Sequence, residues 1–166
     1  EHAPAFAEAF ARAAAQHFPP DQLAVITGGP EIAAEFTALP FDHLLFTGST
    51  PVGRRVMQAA SANLTPVTLE LGGKSPALIA PDAPLEQAVD RIMTGKLLNA
   101  GQTCIAPDYV LLPRASQARF IQLSRDWVAR HYPALEANPD YSRIINDGQF
   151  ARLSGWLDAA RQAGSE

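Results

Sequence analysis

The chain carries one cysteine, Cys104, in the stretch Leu98-Asn99-Ala100-Gly101-Gln102-Thr103-Cys104-Ile105-Ala106-Pro107. A thiolate is a strong nucleophile, but a free thiol titrating near ~8.5 is only a few per cent ionised at neutral pH. Catalysis by such a group needs a partner base, and it needs donors aimed at the oxyanion created by thiol attack. The Cys104 backbone N–H can supply one of those donors. The alternative is a small buried hydrophobe, the commoner fate of a lone thiol. Upstream, Leu69-Glu70-Leu71-Gly72-Gly73-Lys74 sets a carboxylate beside two glycines. Glu70 is the natural general base, for either the thiol or a hydrolytic water. A carboxylate does this work best near neutral pH when partial desolvation lifts it above ~4.3. Glu70, between Leu69 and Leu71 at a strand end, is expected to be partly desolvated; the alternative is an exposed strand-terminal carboxylate. Gly72 and Gly73 let the backbone pass close to a ligand or to the Cys104 loop. Lys74 reads as structural, pairing with a carboxylate or contacting backbone carbonyls.

A third stretch, Phe46-Thr47-Gly48-Ser49-Thr50-Pro51-Val52-Gly53, turns a strand into a helix. Backbone N–H groups and the helix dipole make such an N-terminus a ready anion site. It is not a G-x-G-x-x-G fingerprint, so taken alone it reads first as an ordinary strand–helix connection.

The elements that must hold these residues follow from periodicity. Phe6, Phe10 and Ala14 recur at helical spacing between Pro4 and Phe18, and Pro19-Pro20 ends that helix. Leu23 to Ile26 predicts a short buried strand, and Glu31 to Leu39 a helix. His43 to Thr47 predicts a strand, and Pro51 suits the first turn of a helix running to about Asn63. Val67–Leu71 and Ala77–Ala80 read as strands, with a domain crossover at Gly72-Gly73. A helix over Leu85–Leu98 delivers the chain to Cys104. A strand follows over Tyr109–Leu112, then helices over Ser116–His131 and Gln149–Ala163. Alternating strands and helices indicate a parallel α/β sheet, here as parts of two open α/β units.

Taken together, the three stretches resemble the aldehyde dehydrogenase family. Its glutamate signature matches Leu69–Lys74, its cysteine signature Gly101–Cys104, and its cofactor turn Phe46–Gly53, in the family's order. The continuation Cys104-Ile105-Ala106-Pro107-Asp108-Tyr109-Val110 is most similar to the class 3 branch, which includes coniferyl-aldehyde and fatty-aldehyde dehydrogenases. The resemblance implies a Rossmann-like cofactor domain joined to a catalytic domain. Residues 1–71 would be the C-terminal part of the NAD(P)-binding domain and 72–166 the N-terminal part of the catalytic domain, with the chain incomplete at both ends. It implies Cys104 as nucleophile and Glu70 as base. NAD or NADP would be contacted by Gly48, Ser49, Val52, Gly53 and Leu71, with Glu1 matched to the carboxylate that binds the adenine ribose. The substrate implied is a small-molecule aldehyde. In the family a second oxyanion donor is an Asn side chain well upstream, expected before Glu1, and subunits pair into homodimers or tetramers.

Composition narrows the remaining classes. At 166 residues and 47% hydrophobic, the chain holds one ordinary domain or pieces of two. Its net charge of −4, with both signs dispersed, gives no basic stripe for nucleic acid. No apolar run reaches the length of a membrane span. A single cysteine excludes an intrachain disulfide and fits a reducing compartment, so a cytoplasmic location is expected. His2, His17, His43 and His131 are scattered without zinc-ligand spacing, and no metal is expected. Trp127 and Trp156 read as core or interface packing. Two other functions fit the same residues: a cysteine-dependent acyl-transfer or thioester hydrolase without nicotinamide, and a truncated module with Cys104 inert. The 166-residue chain by itself is expected to be inactive and to expose apolar strand edges.

Overall fold

A computed structural model describes residues 2–165, and the chain divides after Leu71 into two compact units. The first unit runs α1 (Pro4–His17), α2 (Pro30–Thr37), β1 (Leu44–Thr47), α3 (Thr50–Ser61) and β2 (Val67–Glu70). All three helices have proline in their first turn, where its missing N–H is unneeded and its φ is already helical. β1 and β2 pair in parallel, with Leu44 opposite Val67 and Thr47 opposite Glu70. Gly53, Val56 and Ala60 recur on one face of α3, all buried, and Leu44 of β1 and Ala14 of α1 are the other buried apolar residues of this unit among those described. The one buried polar side chain in this unit's described residues, Thr65, is satisfied by donating from its Oγ1 to the Phe41 carbonyl at 2.9 Å. Asn63 donates to the Ala38 carbonyl at 2.8 Å and ties the α3–β2 turn to the end of α2.

One expected element is absent. Residues 23–26 form no strand: the segment is irregular, and Ile26 is 61% exposed. A four-residue apolar run becomes a strand only where a neighbour completes its backbone ladder. Among the described residues β1 pairs with β2 alone, so nothing does this for residues 23–26.

The second unit runs β3 (Ser75–Leu78), α4 (Leu85–Leu97), a 3₁₀ turn at Leu98–Gly101, β4 (Pro107–Leu111), α5 (Gln117–His131) and α6 (Asp147–Gln162). β3 and β4 are parallel, with Ala77 opposite Val110 and a register irregularity between Ser75 and Pro76. Ile79, Val89, Ala106 and Trp127 are its buried residues. Trp127 joins α5 to α4 by donating from its indole N–H to Asp90 at 2.8 Å, and the His131 ring stacks on it at 3.9 Å. At the start of α4 the Glu86 carboxyl is held below the usual carboxylate range. The cause is first a backbone N–H hydrogen bond and then Arg119, whose guanidinium lies 3.1 Å away. The side chain of Asn146 caps α6 by accepting from the Gln149 N–H at 2.9 Å. Trp156 is not core: it is 56% exposed on α6, with the Arg152 guanidinium 4.4 Å from its ring centroid.

The architecture is therefore a pair of partial parallel α/β units, each with two strands among the described residues. No helix among the described residues is long and apolar enough to cross a membrane.

Candidate active site

In the first unit, the carboxyl ends of β1 and β2 lie side by side and gather most of the expected cofactor residues. The Gly48 N–H donates to the carbonyl of Glu70, the last residue of β2, at 3.0 Å, extending the ladder one residue beyond the end of β1. Ser49 follows in extended backbone as the N-cap of α3, and its side chain makes no capping bond. Gly53, one turn into α3, is buried against the end of β2: a Cβ there would sit 2.9 Å from Cδ2 of Leu71. A Cβ at Gly48 would sit 2.5 Å from the ring of Phe46. Both glycines thus let the helix and turn approach the strand ends. Val52 is 43% exposed on the first turn of α3. Glu1, the expected ribose contact, lies outside the described residues.

Glu70 departs from expectation in one respect. Its side chain is exposed, because β2 alternates half-buried Val67 and Leu69 with exposed Thr68 and Glu70. Successive strand residues face opposite sides, so the preceding leucine covers the face that Glu70 does not occupy. The partial desolvation expected from the flanking leucines is not found within this unit.

In the second unit, Cys104 is a free, exposed thiol on the turn that leads into β4. The Ala106 N–H donates to the Thr103 carbonyl at 3.1 Å, closing a tight turn with Cys104 and Ile105 at its tip and buried Ala106 as its anchor. Cys104 is thus not buried within this chain. The approach to this turn is strained. Asn99, Ala100 and Gly101 have φ of 52°, 54° and 75°, three consecutive left-handed residues. Only the glycine adopts this without penalty; each of the others costs about 1 kcal/mol. The Asn99 amide donates to the Gln102 carbonyl at 3.4 Å and so serves the loop itself.

One further residue touches the same turn, and its neighbour pairs with the strand that follows. A Cβ on Gly73 would stand 2.6 Å from the Cys104 carbonyl oxygen, so the second glycine of the glutamate signature is the surface on which the cysteine backbone rests. Gly72 has nothing within 4 Å of its corresponding position. Lys74 pairs with Asp108 in β4 at 3.2 Å, fulfilling the structural role expected of it. These contacts predict a contrast between adjacent glycines. Gly73→Ala should lower the unfolding free energy of the protein by about 1–3 kcal/mol, because backbone must shift to admit a methyl group. Gly72→Ala should stay within about 0.5 kcal/mol. Denaturant titration of the two variants measures both, and equal effects would refute this account of Gly73.

A sequence profile described as the aldehyde dehydrogenase family matches residues 1–166. The chain belongs to the aldehyde dehydrogenase family. It is 54% identical over 151 residues to a probable coniferyl aldehyde dehydrogenase of Pseudomonas aeruginosa, covering 91% of this chain and 32% of that protein. Among solved structures it resembles AldH of Staphylococcus aureus in its substrate-bound state, with a TM-score of 0.87 and 40% identity over 98% of this chain and 36% of the other. It also resembles a Mycobacterium tuberculosis aldehyde dehydrogenase complexed with NAD+, with a TM-score of 0.79 and 32% identity over 89% and 31%. The chain therefore spans about a third of the length of the relatives it matches. The likeness to a coniferyl aldehyde dehydrogenase agrees with the branch indicated by the residues following Cys104.

The sequence motifs point to Cys104, Glu70 and the Gly48–Gly53 turn, but they give no role to Gln102, Asp108 or Arg143, which the structure ties to the neighbourhood of the cysteine turn. Asp108 was legible in principle, since Lys74 called for a carboxylate. Arg143 was not, because the hydrogen bond that the Gln102 side chain donates to its carbonyl spans 41 residues and no motif marks it.

Proposed function

We propose that this chain supplies the nucleophile, the general base and part of the cofactor surface of an NAD(P)-dependent aldehyde dehydrogenase that oxidises an aromatic or fatty aldehyde, coniferyl aldehyde foremost, to its acid. The observation that carries the reading is the exposed Cys104 thiol on a turn held by backbone contacts, within a chain that matches the family along its whole length.

Cys104 Sγ adds to the aldehyde carbon, forming a C–S bond and leaving the charge on oxygen. The Cys104 backbone N–H is one donor for that oxyanion. The nicotinamide, when bound, supplies the acceptor for the hydride that leaves this adduct. The thioester that remains on Cys104 is attacked by water, from which Glu70 takes a proton. The C–S bond breaks, the acid departs and the thiolate is restored.

The first unit has features that suit a dinucleotide. The N-terminus of α3, without a side-chain cap, opens at the carboxyl ends of two parallel strands. That is the position at which α/β sheets accept phosphate groups, where backbone N–H groups and the helix dipole converge. Gly48 and Ser49 would face the pyrophosphate, with Val52, Gly53 and Leu71 beside it. The NAD+ complex of the tuberculosis enzyme supports nicotinamide use by this family. The test follows absorbance of NAD(P)H in the full-length product of the reading frame, with coniferyl aldehyde and with a long-chain aldehyde, in wild type and Cys104→Ser. Reduced cofactor from neither substrate in the wild type would overturn the proposal.

A further inference from the structure

We propose that Gln102 is a positioning residue for Cys104, clamping the strained approach to the cysteine turn onto the segment at residues 143–145. The inference rests on Cys104 being the nucleophile and adds to that reading a residue which acts through it.

The Gln102 side chain has one acceptor and two donor hydrogens, and all three are used. Its Oε1 accepts from the Ile145 N–H at 2.9 Å. Its Nε2 donates to the Arg143 carbonyl at 3.0 Å and to the Asn99 carbonyl at 3.0 Å. The first two bonds reproduce, from a side chain, the pairing that a neighbouring strand would give to residues 143 and 145. The third bond closes the left-handed turn from within, beside the Gln102 N–H, which donates to the same Asn99 carbonyl at 3.1 Å. Segment 143–145 is itself tethered. The Arg143 guanidinium donates to the carbonyls of Leu135 and Glu136 at 3.2 and 2.5 Å, and Asn146 caps α6.

The consequence is a fixed anchor two residues before the thiol. Three left-handed residues would relax toward ordinary backbone if released, and the turn at Thr103–Ala106 would move with them. A nucleophile displaced by about 1 Å loses about a hundredfold in rate without any change in its own chemistry. Among the described residues no other side chain bonds both the cysteine motif and segment 143–145.

The test uses the full-length protein with two variants and two readouts. Gln102→Leu keeps the bulk and removes all three bonds. It should speed hydrogen exchange at the Ile145 amide about tenfold or more and lower kcat about a hundredfold, with KM for cofactor within about threefold. Gln102→Glu keeps the acceptor for the Ile145 N–H and loses both donors at neutral pH. Exchange at Ile145 should then stay near wild type while kcat falls. Its kcat relative to wild type should rise as pH is lowered from about 8 to about 5, since a neutral carboxyl regains one donor. Unchanged exchange in Gln102→Leu would overturn the clamp. Faster exchange with unchanged kcat would overturn the positioning role. If Gln102→Leu fails to fold, the pH course of Gln102→Glu decides: a rising ratio supports the proposal and a flat one overturns it. A wild type that makes no NAD(P)H would remove the dehydrogenase reading, and the exchange comparison would still judge the clamp.

Discussion

Cys104→Ser is expected to lower aldehyde-dependent NAD(P)H formation by about 10³-fold or more while leaving the protein folded. The two halves of that result come from different observations. Serine nearly matches cysteine in shape, and Cys104 is exposed at the tip of its turn, so stability should change by no more than about 0.5 kcal/mol. The chemistry changes far more. Sulfur is intrinsically a far stronger nucleophile than a hydroxyl oxygen, which requires a base in contact with it. Steady-state rates, with a thermal melt of each protein, separate the two effects. Loss of rate with an unchanged melt assigns the covalent step to this residue. If neither protein reduces the cofactor while a thioester is hydrolysed through Cys104, the acyl-transfer reading replaces the dehydrogenase one. If wild type and variant are equally active, Cys104 is not the nucleophile.

What sequence made legible and what it hid divide along the range of the contacts. α1, α2 and α3 were plain because each has proline in its first turn, and α6 because Asn146 caps it. α3 starts at Thr50-Pro51 and α6 behind Asn146, within two residues of expectation. β1 and β2 were plain because each enters a turn whose glycines mark its end. Residues 23–26 misled because an apolar run becomes a strand only where a neighbour completes its backbone ladder, and none does so among the described residues. Glu70 misled for a related reason: leucines adjacent along a strand lie across the sheet from the residue between them, so sequence neighbours say little about its burial. Gly73 was readable as a close-approach position, yet only coordinates show that its neighbour is the Cys104 carbonyl. Gln102 was hidden more deeply. It lies inside a recognised motif, and its partners at Arg143 and Ile145 belong to a loop whose sequence announces nothing.

Glu70→Gln should separate the two halves of the reaction. The substitution keeps the side chain's size and removes its capacity to accept a proton, and the Glu70 backbone carbonyl still receives the Gly48 N–H. Because the side chain is exposed, no buried partner is lost and the fold should be unaffected. A general base contributes about 10²–10⁴-fold to the step it serves. If that step is attack of water on the thioester, NAD(P)H should appear in a rapid burst approaching one equivalent per Cys104. Turnover should then fall about 10²-fold or more, with the acyl group retained on the protein. Stopped-flow absorbance and intact-protein mass measure both quantities. A burst that itself slows by the same factor, with no acyl-protein accumulating, would instead assign Glu70 to activation of the thiol. Unchanged turnover would remove Glu70 from the machinery altogether, and the base would have to be sought elsewhere in the full-length protein.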